Sequence, residues 1–154
     1  MFETDIATAL TIDAVGDRYT FLATAETTGG QYALWHAVVA PGGGPPPHIH
    51  RREDEAFYVL EGSLTFFTGG QRLVRGPGSF LSLPRGSEHS FKNETDQPAR
   101  ALLHVTPAGL EKMFLEAGRR VTDLALPIAP PTGQEIERLL AIAPKYGIEF
   151  NLAH

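Results

Sequence analysis

Three histidines and a short acidic run are the residues of this chain best suited to chemistry: His48 and His50 two apart, Glu53, Asp54 and Glu55 just after them, and His89 well downstream. Neutral imidazole and carboxylate are ligands for Zn, Cu, Fe, Ni, Co or Mn, and a set of four leaves coordination positions open for a further ligand. In an extended strand residues i and i+2 share a face, so His48 and His50 converge on one point while Ile49 turns away. Any of the three carboxylates can ligate in principle; Glu55 shares a face with Phe57 and Val59 of the apolar run that follows. His89 lies beyond a Pro84-Arg85-Gly86 turn on a separate strand, and a small barrel is what brings ligands from distant strands to one centre. Taken alone, the His-x-His pair reads as two surface histidines beside a solvated acidic run. The addition of Glu55 and His89 turns the balance toward a metal.

The elements that must position these groups are mostly strands. Apolar, aromatic and β-branched runs at Tyr19–Ala23, Tyr32–Val39, Ala56–Leu60, Leu64–Phe67, Phe80–Leu83 and Arg100–Val105 are separated by Gly-Gly, Pro-Gly, Gly-Pro and Asn/Asp clusters. Short strands at this spacing predict an all-β barrel or sandwich. Thr68-Gly69-Gly70-Gln71 is a hairpin signal, because both glycines accept the positive φ of primed turns. The Gly42–Pro47 stretch resembles a linker in composition, yet it ends directly on His48. There it reads either as a plain rigid loop or as a device that limits backbone freedom just before the ligand strand.

After Val105 the apolar period changes from two to 3.6. Thr106 as cap, Pro107 at the first helical position, Leu110, Met113, Phe114 and Ala117 on one face and Gly118 as stop predict a helix. A second helix is predicted from a Thr132/Glu135 capping box, with a stripe of Ile136, Leu139, Leu140 and Ile142 or Ala143 and with Gly147 past its end. The apolar face of the first helix is expected to pack on the barrel, and the second helix to cover the barrel or form a dimer contact.

Composition excludes several classes. The chain has 154 residues, suited to one domain spanning 1–154, with a barrel core over about 16–106 and a helical extension over about 107–154. Thirteen basic against 18 acidic residues give a net charge of −5, with no basic stripe interleaved with aromatics, so no nucleic-acid partner is expected. The absence of cysteine excludes a disulfide framework, a thiolate site and a cysteine nucleophile. No run of eighteen apolar residues and no leader-like start occur, so the expectation is a cytoplasmic protein without a membrane partner. An exposed edge strand and a spare helix make a homodimer the expected assembly.

The two segments PGGGPPPHIHRREDEAFYVLEG (41–62) and GSFLSLPRGSEHSFKN (78–93) resemble the cupin superfamily. Gly42, His48, His50, Glu55 and Gly62 fill the fixed positions of its first motif, and Gly78, Pro84, Gly86, His89 and Asn93 those of its second. The interval to Gly62 selects Glu55 from the three carboxylates. If each of these positions matched by chance at about one in twenty, joint agreement would be on the order of one in 10^13. From about Gly16 onward the chain also resembles single-domain quercetin 2,3-dioxygenase-like cupins, through PPPHIHRREDEAFYVLEG, LPRGSEHSFKN and the ending KYGIEF. The resemblance implies a jelly-roll (double-stranded β-helix) barrel and one divalent transition metal (Fe, Mn, Ni, Co, Cu or Zn) held by His48, His50, Glu55 and His89. It also implies O2 cleaving an activated flavonol. Strand parity places Phe57 and Val59 beside Glu55 and Phe91 beside His89, an apolar cup suited to a small aromatic or enolic substrate. Glu55 is the candidate catalytic residue, poised to take a substrate hydroxyl proton.

The motifs specify the barrel and the metal more tightly than the reaction, because one fold hosts many chemistries. A dioxygenase of a flavonol or related enol is the first reading. A non-redox metal isomerase is the second, needing polar or cationic groups in the barrel, and a non-catalytic small-molecule-binding cupin is the third. His36 and His104 fall in predicted strands and read first as packing, with a supporting role at the site as the alternative. His154 is assigned no role, and Arg51 and Arg52 read as a solvated, self-paired charge cluster.

Overall fold

Each apolar run expected to be extended is a strand in the computed structural model, which describes residues 1–153; His154 lies outside them. In chain order the elements are β1 (Thr11–Ala14), β2 (Asp17–Ala23), a short helix α1 (Ala25–Thr28), β3 (Ala33–Val39), β4 (His48–His50), β5 (Asp54–Glu61), β6 (Leu64–Thr68), β7 (Gln71–Arg75), β8 (Phe80–Leu83), β9 (Glu88–Lys92) and β10 (Ala99–Thr106). The C-terminal part adds α2 (Leu110–Ala117), β11 (Arg119–Arg120), α3 (Gly133–Ile142), a 3-10 turn (Ala143–Tyr146) and β12 (Ile148–Phe150).

The strands form two antiparallel sheets. The larger has the order β11-β1-β2-β3-β10-β5-β8 and the smaller β12-β4-β9-β6-β7. Period-two alternation decides which side chains meet between them. In β10, Ala99, Ala101, Leu103 and Val105 are buried while Arg100 is exposed; in β3, Ala33, Trp35, Ala37 and Val39 are fully enclosed. From the smaller sheet Leu64, Phe66 and Phe91 complete this interior, and Phe57 packs edge-on against Phe66 and Phe91 at 5.0 and 5.1 Å. The β6–β7 hairpin turns at Gly69-Gly70, with φ of 57° and 74°, as a primed turn requires.

The loop before β4 is seated, not free. Gly42 N donates to Asn93 O and Asn93 N to Gly43 O, at 2.8 and 2.9 Å, pinning the Gly42-Gly43 pair to the end of β9. Gly44 passes so close to β9 that a Cβ there would overlap the Phe91 carbonyl oxygen, and its φ of 132° is itself glycine territory. The fully buried Asn93 amide donates to Val39 O and Gln97 O at 3.0 and 2.7 Å, which gives this motif position its structural purpose.

The C-terminal part differs from the sequence expectation in three respects. Thr106 does not cap a helix: it is the last residue of β10, paired with Asp54, and the Thr106–Pro107 peptide is cis. The helix begins at Leu110 behind Gly109, and the buried Glu111 carboxylate accepts from Gly109 N and Ala25 N at 2.5 and 2.7 Å, tying the starts of α2 and α1 together. The extension is also not wholly helical, since β11 pairs with β1 and β12 pairs with β4; with β1 in the large sheet, the barrel begins before residue 16. The Thr132/Glu135 capping box forms as expected, with Glu135 N donating to Thr132 Oγ1 and Thr132 N to the Glu135 carboxylate. Of the α3 stripe, Leu139 and Ala143 are buried, whereas Ile136 stays exposed.

Candidate metal centre

The chain brings His48, His50, Glu55 and His89 to one point, each buried and offering a ligand atom within 4.8 Å of the others. Register makes this possible. His48 is paired directly with His89 across the β4–β9 ladder, His50 follows on the same face of β4, and Glu55 reaches across from β5 of the larger sheet. The cluster therefore bridges the two sheets. The three imidazole rings lie 4.5 to 5.1 Å apart, centre to centre.

Each imidazole is turned by its Nδ1. That atom lies 2.9 Å from Pro46 O in His48, 2.9 Å from a Glu53 carboxylate oxygen in His50 and 3.3 Å from Ser87 O in His89. A proton held on Nδ1 leaves Nε2 with a free lone pair, the tautomer that a metal requires. The Nε2 atoms of His50 and His89 lie 3.6 and 3.5 Å from the two Glu55 oxygens, and both are buried without a hydrogen-bond partner. A buried polar atom left unpaired costs about 1–3 kcal/mol. Two such lone pairs facing a carboxylate are what an ion would satisfy, and this N3O donor set fits a divalent transition metal.

The electrostatics agree for Glu55 and His48, while His50 would have to give up a proton as an ion enters. Burial alone would raise the Glu55 carboxyl, but His50, then His89 and His48, pull it down to about 2, so the group stays ionised. Burial and the neighbouring imidazoles push His48 down to about 4, keeping it neutral and able to ligate. For His50 burial acts downward, yet Glu55 and Glu53 outweigh it and hold its affinity for a proton above the usual imidazole range.

The alternatives open in the acidic run are resolved by burial and partners. Glu53 is buried and orients His50 from behind, Asp54 pairs outward with Arg85, and Glu55 alone of the three enters the cluster. Arg51 and Arg52 differ from the expected self-paired cluster. Arg51 makes a two-point ion pair with Glu149 at 2.9 and 2.8 Å and Arg52 donates to Lys145 O, so both clamp the C-terminal extension to the ligand strand. His36 and His104 take the packing reading: His36 faces away from the interior beside Arg18, Thr20 and Arg100, and His104 stacks on Tyr32 at 5.4 Å.

The cup around the cluster is apolar, as expected, but built from other residues. Phe57 and Val59 belong to the sealed core and do not line it; among the expected residues only Phe91 does. The barrel wall adds Tyr19, Trp35 and Leu103, while α2 contributes Leu110, Met113 and Phe114 and β12 contributes Ile148 and Phe150. The β12 pair was hidden in the sequence because its parity is set by a distant ladder: Ile148 opposes His50 and Phe150 opposes His48. The cavity holds about 30 Å³, room for roughly two water molecules.

Residues 35–105 match the Cupin_2 family model, described as the cupin domain, and this segment contains all four cluster residues and both sheets' central strands. The chain belongs to the cupin superfamily. Among curated relatives of this cupin, the quercetin 2,3-dioxygenase of Bacillus subtilis is 33% identical over 78 residues, half of this chain and 23% of that protein. The tetracenomycin polyketide synthase protein TcmJ of Streptomyces glaucescens is 31% identical over 74 residues, 48% of this chain and 50% of that one. The chain thus spans a quarter to a half of the length of these relatives. A solved Thermotoga maritima structure described as a predicted oxalate decarboxylase superposes with a TM-score of 0.64 over 70% of this chain and 99% of its own, at 17% identity, a likeness of fold alone. No helix among the described residues is long and apolar enough to cross a membrane.

Proposed function

We propose that this cupin is a metal-dependent oxidoreductase that acts with O2 on a flavonol or a related enolic aromatic compound. The observation that carries the reading is a carboxylate-containing ligand cluster opening onto a cavity lined by aromatic and aliphatic side chains, with no Lys or Arg among the described lining residues. A sugar phosphate or a dicarboxylate needs a cation there; a neutral enol with an apolar body does not. Similarity to a quercetin 2,3-dioxygenase supports the same substrate class.

In this reading His48, His50, Glu55 and His89 hold the ion. When bound, a divalent transition metal supplies a Lewis acid and a redox centre toward oxygen ligands. Glu55, ionised through the neutral range, takes the proton of the substrate hydroxyl. Phe91, Leu103 and Phe114 embrace the ring system and exclude water. Ligand sites for molecules of this size occupy about 300–1,000 Å³, so α2 and β12 must move aside to admit one.

The closed cavity favours a second reading, a cupin that binds a small molecule without turning it over. Oxygen-electrode measurements decide between them. Protein loaded in turn with Fe, Mn, Ni, Co and Cu is given a panel of flavonols, beside Glu55→Ala as control. The dioxygenase reading expects uptake with at least one metal and none in the variant. Bound metal with no uptake on any flavonol sinks it in favour of the binding reading.

A further inference from the structure

Buried side-chain atoms without a hydrogen-bond partner are few among the described residues. They are His50 Nε2, His89 Nε2, Trp35 Nε1 and Asp17 Oδ1. The first two belong to the metal cluster. Trp35 is fully buried and lines the same cavity as His48, His50 and Glu55. Asp17 accepts from the Tyr19 hydroxyl at 3.2 Å, and Tyr19 lines that cavity as well. Three of the four unpaired atoms, the two imidazole nitrogens and the indole nitrogen, thus belong to residues gathered at the metal cluster and its cavity, whereas Asp17 Oδ1 lies beside Gly43.

For the imidazoles a bound metal ion would supply the missing partner. It cannot do so for Trp35, because an indole N–H is a donor only and has no lone pair to offer an ion. Sealed among Tyr19, Phe21 and Phe114, with ring centres 5.9 to 6.0 Å away, the indole is held by packing that leaves its N–H without a protein acceptor. A buried Trp normally finds a partner for that group.

We propose that Trp35 is a ligand-binding residue whose indole N–H donates a hydrogen bond to an oxygen of the molecule that occupies the cavity beside the metal. The inference rests on the metal-site reading above and narrows its ligand class: the molecule carries at least two oxygens, one that meets the ion and a carbonyl or enolate oxygen that accepts from the indole whether or not it also touches the ion. A ligand that binds the metal through its only oxygen would leave the indole unpaired. Discrimination follows, since a site built to bond an oxygen rejects the analogue that lacks one.

Trp35 is the sole tryptophan of the chain, so its indole N–H gives a single resonance in a ¹H–¹⁵N spectrum. The test uses ¹⁵N-labelled, Zn-loaded protein, titrated separately with quercetin and with acetohydroxamate, a small two-oxygen chelator that carries a carbonyl and no ring. The expected result is a downfield shift of the indole proton with acetohydroxamate, where no ring current intervenes, and also with quercetin. Trp35→Phe is expected to keep its metal and bind both probes about five- to tenfold more weakly. If acetohydroxamate moves the indole resonance and quercetin does not bind, the flavonol reading fails and the Trp35 assignment stands. Binding of either probe with the indole resonance unmoved, or with undiminished affinity in Trp35→Phe, overturns the assignment and leaves the metal reading intact. If neither probe binds the loaded protein, both fall.

Discussion

The strands that carry the candidate ligands and the extension that covers them are held by different forces. On β4 and β9 each imidazole is fixed from behind by a backbone carbonyl or the buried Glu53 carboxylate, and Glu55 sits in a strand paired on both sides, to β10 and β8. The extension reaches the same cavity through Phe114, Ile148 and Phe150, but β12 is a three-residue edge strand, and the ion pairs beside it, Arg51–Glu149 and Lys145–Glu116, are half exposed or more on at least one side. Exposed pairs contribute little and are weakened by salt. The contrast lies in the supports: the ligand residues are held by buried hydrogen bonds and two-sided pairing, and the β12 edge of the cover by a single ladder to β4 and exposed ion pairs.

The largest effect that breaks this comparison on the rigid side is loss of a ligand. His89→Ala is expected to lower metal content measured by elemental analysis from one ion per chain to a small fraction after dialysis. It should also abolish the metal-dependent rise in unfolding temperature, worth about 4 kcal/mol when free metal is a thousandfold above Kd. A variant that keeps full metal content removes His89 from the site.

Next is the seat of β4. Gly44→Ala places a Cβ against the Phe91 carbonyl at a φ that side chains avoid, and is expected to cost on the order of 3 kcal/mol in denaturant unfolding. The neighbouring Gly42→Ala, with open space around its Cβ, isolates the part due to φ alone. Equal losses would mean that close approach to β9 is unimportant.

Much of the rigid half is legible in the sequence, and little of the cover is. His48, His50, Glu55 and His89 announce themselves because strand parity is local: once HIH is extended, its two rings share a face. Glu53 illustrates the limit. Its charge and spacing mark it as a rival ligand, and only the turn between β4 and β5 decides that it stands behind His50 instead. The cavity wall is less accessible still. Trp35 and Tyr19 read as core aromatics, and nothing in their neighbourhood says that the core contains a gap at that point. Ile148 and Phe150 depend on a ladder to His50 and His48 that closes a loop of nearly the whole barrel. The helix starts later than the sequence suggests for a related reason: Thr106 has cap chemistry, but as the last residue of β10 it pairs with Asp54 of β5.

A smaller effect sharpens the comparison from behind the ligands. Glu53→Ala removes the group that orients His50 without touching the cluster itself, and outer partners of this kind are worth ten- to a hundredfold in metal affinity. Competition with a chromophoric chelator should show that loss, with the protein still binding one ion at saturation. Unchanged affinity would show that packing alone turns the His50 ring.

The smallest global effect belongs to the cover, and its local effect is the informative one. Arg51→Ala deletes the two-point pair to Glu149 at an exposed position, so the unfolding midpoint should hardly move. The hydrogen bond from Arg51 N to Gly147 O survives, because it is made by the backbone. If β12 opens as a unit, amide exchange at Ile148–Phe150 should nonetheless accelerate several-fold in the variant, and wild-type exchange there should rise with salt, while the amides of β9 and β10 keep their protection. Exchange that accelerates equally in β9 would mean that cover and ligand strands open together. The cavity could then admit a large ligand only by loosening the metal site itself.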